Sequence, residues 1–139
     1  MSKVLITGGT GLIGSRLSSL LKAKGYEVII LTRNYNPKSS QDSFHWNIEE
    51  YSIDDSAFKN IDHILHLAGA GVADKRWSKK RKKEILTSRV VSTNLLYDTI
   101  KRLKIPLKSF VAASAIGYYG STTTDKIFIE TDQPSNDFL

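Results

Sequence analysis

Val4-Leu5-Ile6-Thr7-Gly8-Gly9-Thr10-Gly11-Leu12-Ile13-Gly14 decides how this chain folds. A short apolar, β-favouring run passes through a glycine-rich turn and continues straight into a helical pattern. Ile13, Leu17, Leu20 and Leu21 recur there at helical spacing. Gly25 stands where a left-handed residue would end that helix, and Val28-Ile29-Ile30-Leu31 follows as a second apolar run. Strand, turn, helix and strand make a βαβ unit. Gly8, Gly11 and Gly14 have G-x-x-G-x-x-G spacing. The first permits a tight turn, the second lets a pyrophosphate approach the backbone, and the third lets the helix pack on the strand. The amides opening the helix then face the anion, helped by the helix dipole. The stretch nominates Gly8, Thr10, Gly11, Leu12 and Ile13 as a phosphate site.

Outward from it, strands are expected at Lys3 to Thr7, Glu27 to Thr32, Ser43 to Ile48, His63 to Leu67 and Ser109 to Ala113. Helices are expected from Leu12 to Lys24 and from Ser78 to about Leu103. A short helix or turn is expected over Ile53 to Lys59. In the long helix Leu86, Val90, Thr93, Tyr97 and Ile100 mark one apolar face. The alternation implies a three-layer α/β fold with a doubly wound parallel sheet ordered 3-2-1-4-5, and ligands at the carboxyl ends of its strands.

The chain has 139 residues, 40% hydrophobic and 24% charged, which is one ordinary globular domain. No apolar run approaches the roughly 20 residues of a membrane helix, and no signal-peptide pattern opens the sequence. Zero cysteines exclude disulfides, thiolate metal sites and cysteine nucleophiles, which fits a reducing compartment such as the cytoplasm. The net charge of +6 favours anionic partners, whether a phosphorylated cofactor or nucleic acid.

At the end of the second strand, where a carboxylate would hold free ribose hydroxyls, the sequence has Thr32 and Arg33. A guanidinium there can bind a 2′-phosphate through charged hydrogen bonds. Arg33 is therefore the expected 2′-phosphate ligand, with Thr32 and Asn34 assisting and Lys38 as the competing contact. NADP is the cofactor this favours, with NAD second. Leu67, Ala68 and Gly69 close the fourth strand with residues small enough to let the backbone pass close to the ribose and pyrophosphate. His66, alternating with apolar neighbours, reads as a packing residue rather than a base, and His45 and His63 have no acidic partner at metal-site spacing. Lys75 to Lys83 holds seven basic residues in nine. It reads as a solvated basic face, or alternatively as a nucleic-acid or partner surface.

Thr7 to Gly14 resembles the T-G-x-x-G-x-x-G turn of short-chain dehydrogenase/reductase proteins, and more narrowly their extended branch, the NAD-dependent epimerase/dehydratase family. Leu67-Ala68-Gly69, Arg76-Trp77, Arg81-Lys82-Lys83-Glu84-Ile85 and Ser88-Arg89-Val90 are similar to an atypical branch of it. Ser114 to Gly120, Glu130-Thr131 and Asp137-Phe138-Leu139 extend the resemblance over essentially the whole chain. It implies a Rossmann-type fold, and Glu84 and Arg89 facing the cofactor, with Arg89 on a phosphate or ribose oxygen. Extended members are about twice this long, so residues 1–139 are expected to be the N-terminal cofactor domain of a longer protein.

Members of the family use a Ser or Thr after strand five and a Tyr-x-x-x-Lys pair. The lysine lowers the tyrosine pKa for proton exchange with substrate. Ser114 and Tyr119 are the candidates here, although alignment on Tyr119-Gly120 puts Ala115 at the usual serine place and Phe138 on or near the tyrosine place. Three function classes follow. The first is an oxidoreductase or epimerase-like enzyme transferring hydride to or from a small-molecule substrate. The second is a non-catalytic NADP(H)-binding regulator, and the third a nucleic-acid module using the basic run.

Overall fold

The computed structural model of the chain describes residues 2–36, 42–121 and 123–138. In chain order it contains β1 (Lys3–Thr7), α1 (Leu12–Ala23), β2 (Glu27–Thr32), β3 (Ser43–Asn47), β4 (Ser52–Ile53), β5 (His63–His66), α2 (Lys79–Leu103) and β6 (Ser109–Ala112). Short 3₁₀ turns lie at Asp55–Phe58 and Ile116–Tyr119. One sheet runs β4-β3-β2-β1-β5-β6. Its five parallel strands follow the expected 3-2-1-4-5 order. The antiparallel edge strand β4, paired Trp46 with Ile53 and Asn47 with Ser52, was not anticipated.

The central strands are mainly apolar because helices cover both faces, with Thr7 and His66 as buried polar residues among them. Leu5, Ile29, Leu31 and Ile64 point to one side and pack with Trp46, Phe58, Leu95 and Leu96. Val4, Ile6 and Val28 point to the other, against Leu21 of α1 and Leu65. At the sheet's other edge all four residues of β6 are exposed.

Each helix packs some of the residues its apolar spacing marks, Leu21 on α1 and Ile100 on α2, but its most deeply buried residues are others. On α1, Ile13 and Leu20 are exposed, and Gly14 and Ser18 are buried. Small residues let the helix approach the sheet closely, and the Ser18 hydroxyl donates to the Gly14 carbonyl at 2.7 Å. On α2, Leu86, Val90 and Tyr97 do share a face with Thr93, but it is exposed. The buried stripe is Ile85, Ser88, Ser92, Leu95, Leu96 and Thr99. Its hydroxyls are satisfied within the helix. Ser88 donates to Ile85 O at 2.8 Å, Ser92 to Arg89 O at 3.1 Å and Thr99 to Leu95 O at 2.8 Å. Back-bonding of this kind removes the penalty of burying a hydroxyl.

Gly25 ends α1 at φ +84°, as its place in the sequence predicts. Gly14 is the tighter constraint: a Cβ there would stand 2.2 Å from Gly8 O and 2.7 Å from Gly9 Cα. Alanine normally stabilises a helix interior over glycine by about 0.8–1 kcal/mol. Gly14→Ala is expected to reverse that sign and destabilise by roughly 1–3 kcal/mol through overpacking. Urea unfolding of parent and variant checks it.

Candidate functional site

The first turn of α1 is built from what it lacks. Gly11 is the N-cap residue in extended conformation, and among the described residues no side chain caps the helix. No acidic residue occupies its first turn. An α-helix leaves its first amides without an internal partner, so those of Leu12 and Ile13 open toward solvent with the positive end of the dipole behind them. The Leu12 and Ile13 side chains are exposed beside them. Thr10 sits in the exposed turn just ahead.

Gly8 fixes where that turn sits. It lies at φ +71°, and a Cβ on it would come within 2.9 Å of the Leu67 carbonyl carbon and 3.0 Å of Ala68 N. The glycine turn and the end of β5 are therefore in backbone contact. Gly69 repeats the arrangement, since its Cβ position lies 3.2 Å from Arg89 Cζ. The Arg89 guanidinium donates to Ala70 O at 3.2 Å and to Ile85 O at 3.1 Å. Gly8, Leu67, Ala68, Gly69 and Arg89 thus converge at the carboxyl ends of β1 and β5, where a doubly wound sheet takes its ligands. A groove of about 670 Å³, lined by Phe58, Asp62, Leu103 and Lys108, lies at the opposite end, where the strands begin.

Arg33 follows β2, the neighbour of β1, and is exposed. Among the described residues no group engages its side chain. Thr32 Oγ1 accepts from Asn34 N at 3.2 Å and shapes the turn that carries it. Lys38 lies outside the described residues.

Glu84 is held differently from Arg89. Its carboxylate takes Arg81 Nη1 at 2.8 Å, and that hydrogen bond keeps it below the usual carboxylate range. Arg81 corrects the reading of the basic run as a uniformly solvated face, because its side chain is only 7% exposed. It donates to Gly71 O at 2.5 Å and lies 3.6 Å from Asp74, pinning the loop between β5 and α2. Its Nε is buried and has no partner among the described residues. Lys82 also leaves the solvated set, sitting over the Trp77 and Phe138 rings. The sequence signal for Arg81 was slight: an acid three residues on, and Ser78, whose hydroxyl caps the helix by accepting Arg81 N at 3.2 Å.

The structure does not join the two catalytic candidates. Ser114 is exposed beyond β6. The Tyr119 hydroxyl donates to Ile129 O at 3.1 Å, and its ring stacks on Phe128 at 4.7 Å. Phe138 packs edge-on against Trp77 at 5.5 Å. Among the described residues no hydrogen bond links Ser114 to Tyr119. His66 is buried with both ring nitrogens engaged, by Thr7 and Ser92. Burial holds it below the ordinary imidazole pKa. The folded chain therefore resists protonation there, and its stability falls as pH drops below the unfolded value of about 6.5. Thr7 and Ser92 were missed by the sequence reading; the available signal was a hydroxyl ending an otherwise apolar strand.

Residues 4–138 match the NAD dependent epimerase/dehydratase family. The chain belongs to that family. An epimerase family protein of Mycobacterium leprae is 33% identical over 136 residues, which are 98% of this chain and 43% of that protein. The bovine epimerase family protein SDR39U1 is 32% identical over 98% of this chain and 44% of its own length. The chain thus spans a little under half the length of these relatives. The crystal structure of the human SDR39U1 protein with NADPH superposes with a TM-score of 0.80 and 30% identity, covering 98% of this chain and 44% of that one. MoeE5 in complex with UDP-glucose and NAD gives 0.76 and 29%, covering 96% and 42%. Among the described residues no helix is long and apolar enough to cross a membrane.

The basic run is expected to divide on substitution. Arg81→Ala, by freeing the Gly71 carbonyl and emptying a packed position, should destabilise the fold by roughly 1–3 kcal/mol. Lys79→Gln, Lys80→Gln and Lys83→Gln should each stay within about 0.5 kcal/mol, the range for exposed positions. Denaturant midpoints of the four variants decide it.

Proposed function

We propose that this chain is the NADP(H)-binding part of an oxidoreductase or nucleotide-sugar-epimerase-like protein that works by hydride transfer. The observation that carries the reading is the uncapped, acid-free N-terminus of α1 behind a glycine turn in backbone contact with Leu67 and Ala68. The Gly11, Leu12 and Ile13 backbone would take the pyrophosphate, with Arg89 supplying a guanidinium from the other side of the turn. Leu67, Ala68 and Gly69 would let the ribose lie against the backbone, with Glu84 at the same margin. The NADPH of the human relative and the NAD of MoeE5 support a nicotinamide dinucleotide. Arg33, with no carboxylate beside it at the end of β2, favours the 2′-phosphorylated form. When bound, the cofactor would carry the hydride; the chain's own part is to hold its phosphates and orient it.

A second reading, a non-catalytic NADP(H)-binding regulator, is favoured by Tyr119 having its hydroxyl on Ile129 O and by Phe138 packing on Trp77. Redox turnover by the protein extended to its relatives' length separates the two. The nucleic-acid alternative loses two of the run's seven cations to structural roles, Arg81 to the loop and Lys82 to the aromatic pair.

Gly11→Val is expected to abolish NADP(H) binding while leaving the fold intact. A Cβ there meets only Gly8 O at 3.3 Å, whereas a branched side chain fills the path of the pyrophosphate. Calorimetry showing unchanged affinity would place the site elsewhere. Arg33→Ala is expected to weaken NADP(H) several-fold or more and barely change NAD(H). Hydrogen bonds to charged groups contribute roughly 1.5–3 kcal/mol, or about 10- to 150-fold, and an exposed arginine belongs at the low end. Equal losses for both cofactors, titrated at one salt concentration, would sink the assignment. A silent Arg33→Ala with a damaging Lys38→Ala would move the contact to Lys38.

A further inference from the structure

Hydrogen-bond direction at the centre of the sheet leaves His66 a single protonation state. Thr7 is 0% exposed, Ser92 1% and His66 6%, so no water competes for their partners. Thr7 Oγ1 accepts from Ala68 N at 3.2 Å and shares the Leu67 amide, also at 3.2 Å, with the Thr7 carbonyl. Those two amides occupy its lone pairs. Its one proton is left for His66 Nδ1, 2.7 Å away, which must then be the unprotonated nitrogen. A neutral ring with Nδ1 bare carries its hydrogen on Nε2. The other end accommodates this: Ser92 Oγ, 3.1 Å from Nε2, accepts, and its own proton goes to Arg89 O, also at 3.1 Å and shared with the Thr93 hydroxyl at 2.8 Å. Two aromatic rings neighbour it, Trp46 at 6.4 Å and Phe110 at 6.3 Å, and no charged side chain acts on it among the described residues.

We propose that His66 is a positioning residue locked as the neutral Nε2–H tautomer. Its one-way hydrogen-bond chain sets the Leu67–Ala68 end of β5 and the Arg89 turn of α2 in register with the glycine turn. Every bond runs in one sense: Leu67 and Ala68 amides to Thr7 Oγ1, Thr7 hydroxyl to Nδ1, Nε2–H to Ser92 Oγ, Ser92 hydroxyl to Arg89 O. An imidazolium would present a second donor to Thr7 Oγ1, whose lone pairs are taken, and would release one of the two amides. The chain spans three elements and ends on the backbone of the residue whose guanidinium lies over Gly69. Its consequence for cofactor rests on the NADP(H) reading above; the tautomer does not.

The test is nitrogen-15 NMR of the histidine rings, with the His66 signal assigned by its loss in His66→Gln. The parent protein is expected to show protonated Nε2 and bare Nδ1 at pH values on both sides of the ordinary imidazole pKa of about 6.5. A protonated Nδ1, or an average of the two tautomers, overturns the proposal without need of any variant. Thr7→Val, which keeps the shape and deletes the hydroxyl, should release the tautomer preference and weaken NADP(H) about tenfold; Thr7→Ser should retain both. If Thr7→Val does not fold, Ser92→Ala serves for the affinity measurement. Affinity unchanged in the variant while the parent binds would overturn the positioning role. A parent that holds the tautomer but binds no NADP(H) defeats the cofactor reading and leaves the hydrogen-bond chain standing.

Discussion

The backbone contact between Gly8 and the Leu67–Ala68 peptide is the constraint on which the candidate site depends. Two chain segments about sixty residues apart meet with no room for a Cβ, at a φ of +71° that disfavours any other residue. Because Thr7, buried at the end of β1, directly precedes Gly8, the same contact brings its hydroxyl under the Leu67 and Ala68 amides. Gly14 then seats α1 on the turn. The aim of the helix at the turn is a consequence of two missing side chains, at Gly8 and Gly14. An anion arriving there meets amides already oriented by packing, so little ordering remains to be done on binding.

The order of the parallel strands was legible because βαβ connections are right-handed and consecutive strands tend to be neighbours. β4 was not, because its cause is local turn chemistry. The Asn47 side chain accepts from the amides of Glu49 and Glu50, and Tyr51 takes a left-handed φ of 51°. Those contacts turn the chain back along β3 for only two residues. Hydrophobic periodicity cannot see an element so short.

The buried face of α2 was hidden for a different reason. Ser88, Ser92 and Thr99 count as polar on any hydropathy scale, yet each spends its proton on a carbonyl of the same helix. Leu86, Val90 and Tyr97 mark the apolar stripe and stand in solvent. The basic run misled in a similar way. Averaged over nine residues it reads as charge opposing the dipole at the start of a helix. Read singly, it contains one cation that organises the loop, Arg81, and one laid over aromatic rings, Lys82. Ser78, capping α2 through the Arg81 amide, offsets part of the dipole conflict.

Binding and proton transfer make different demands, and this chain meets them unequally. The groups proposed to bind the cofactor are main-chain amides and guanidinium groups placed by strand ends and by glycines, and strand order with glycine spacing is what a sequence records best. Proton transfer needs a hydroxyl free to exchange its proton near a base. Tyr119 gives its hydroxyl to Ile129 O, a bond whose net worth is about 1 kcal/mol and so readily exchanged for another. The ring is the firmer restraint. It is stacked on Phe128 at 19° and met edge-on by Tyr118 at 5.1 Å, so turning the hydroxyl toward a ligand would disturb both aromatic contacts. Aromatic pairs contribute about 0.5–1.5 kcal/mol each beyond their buried area. Releasing Tyr119 would therefore cost roughly 2–4 kcal/mol in all, enough to make packing its resting role in this chain.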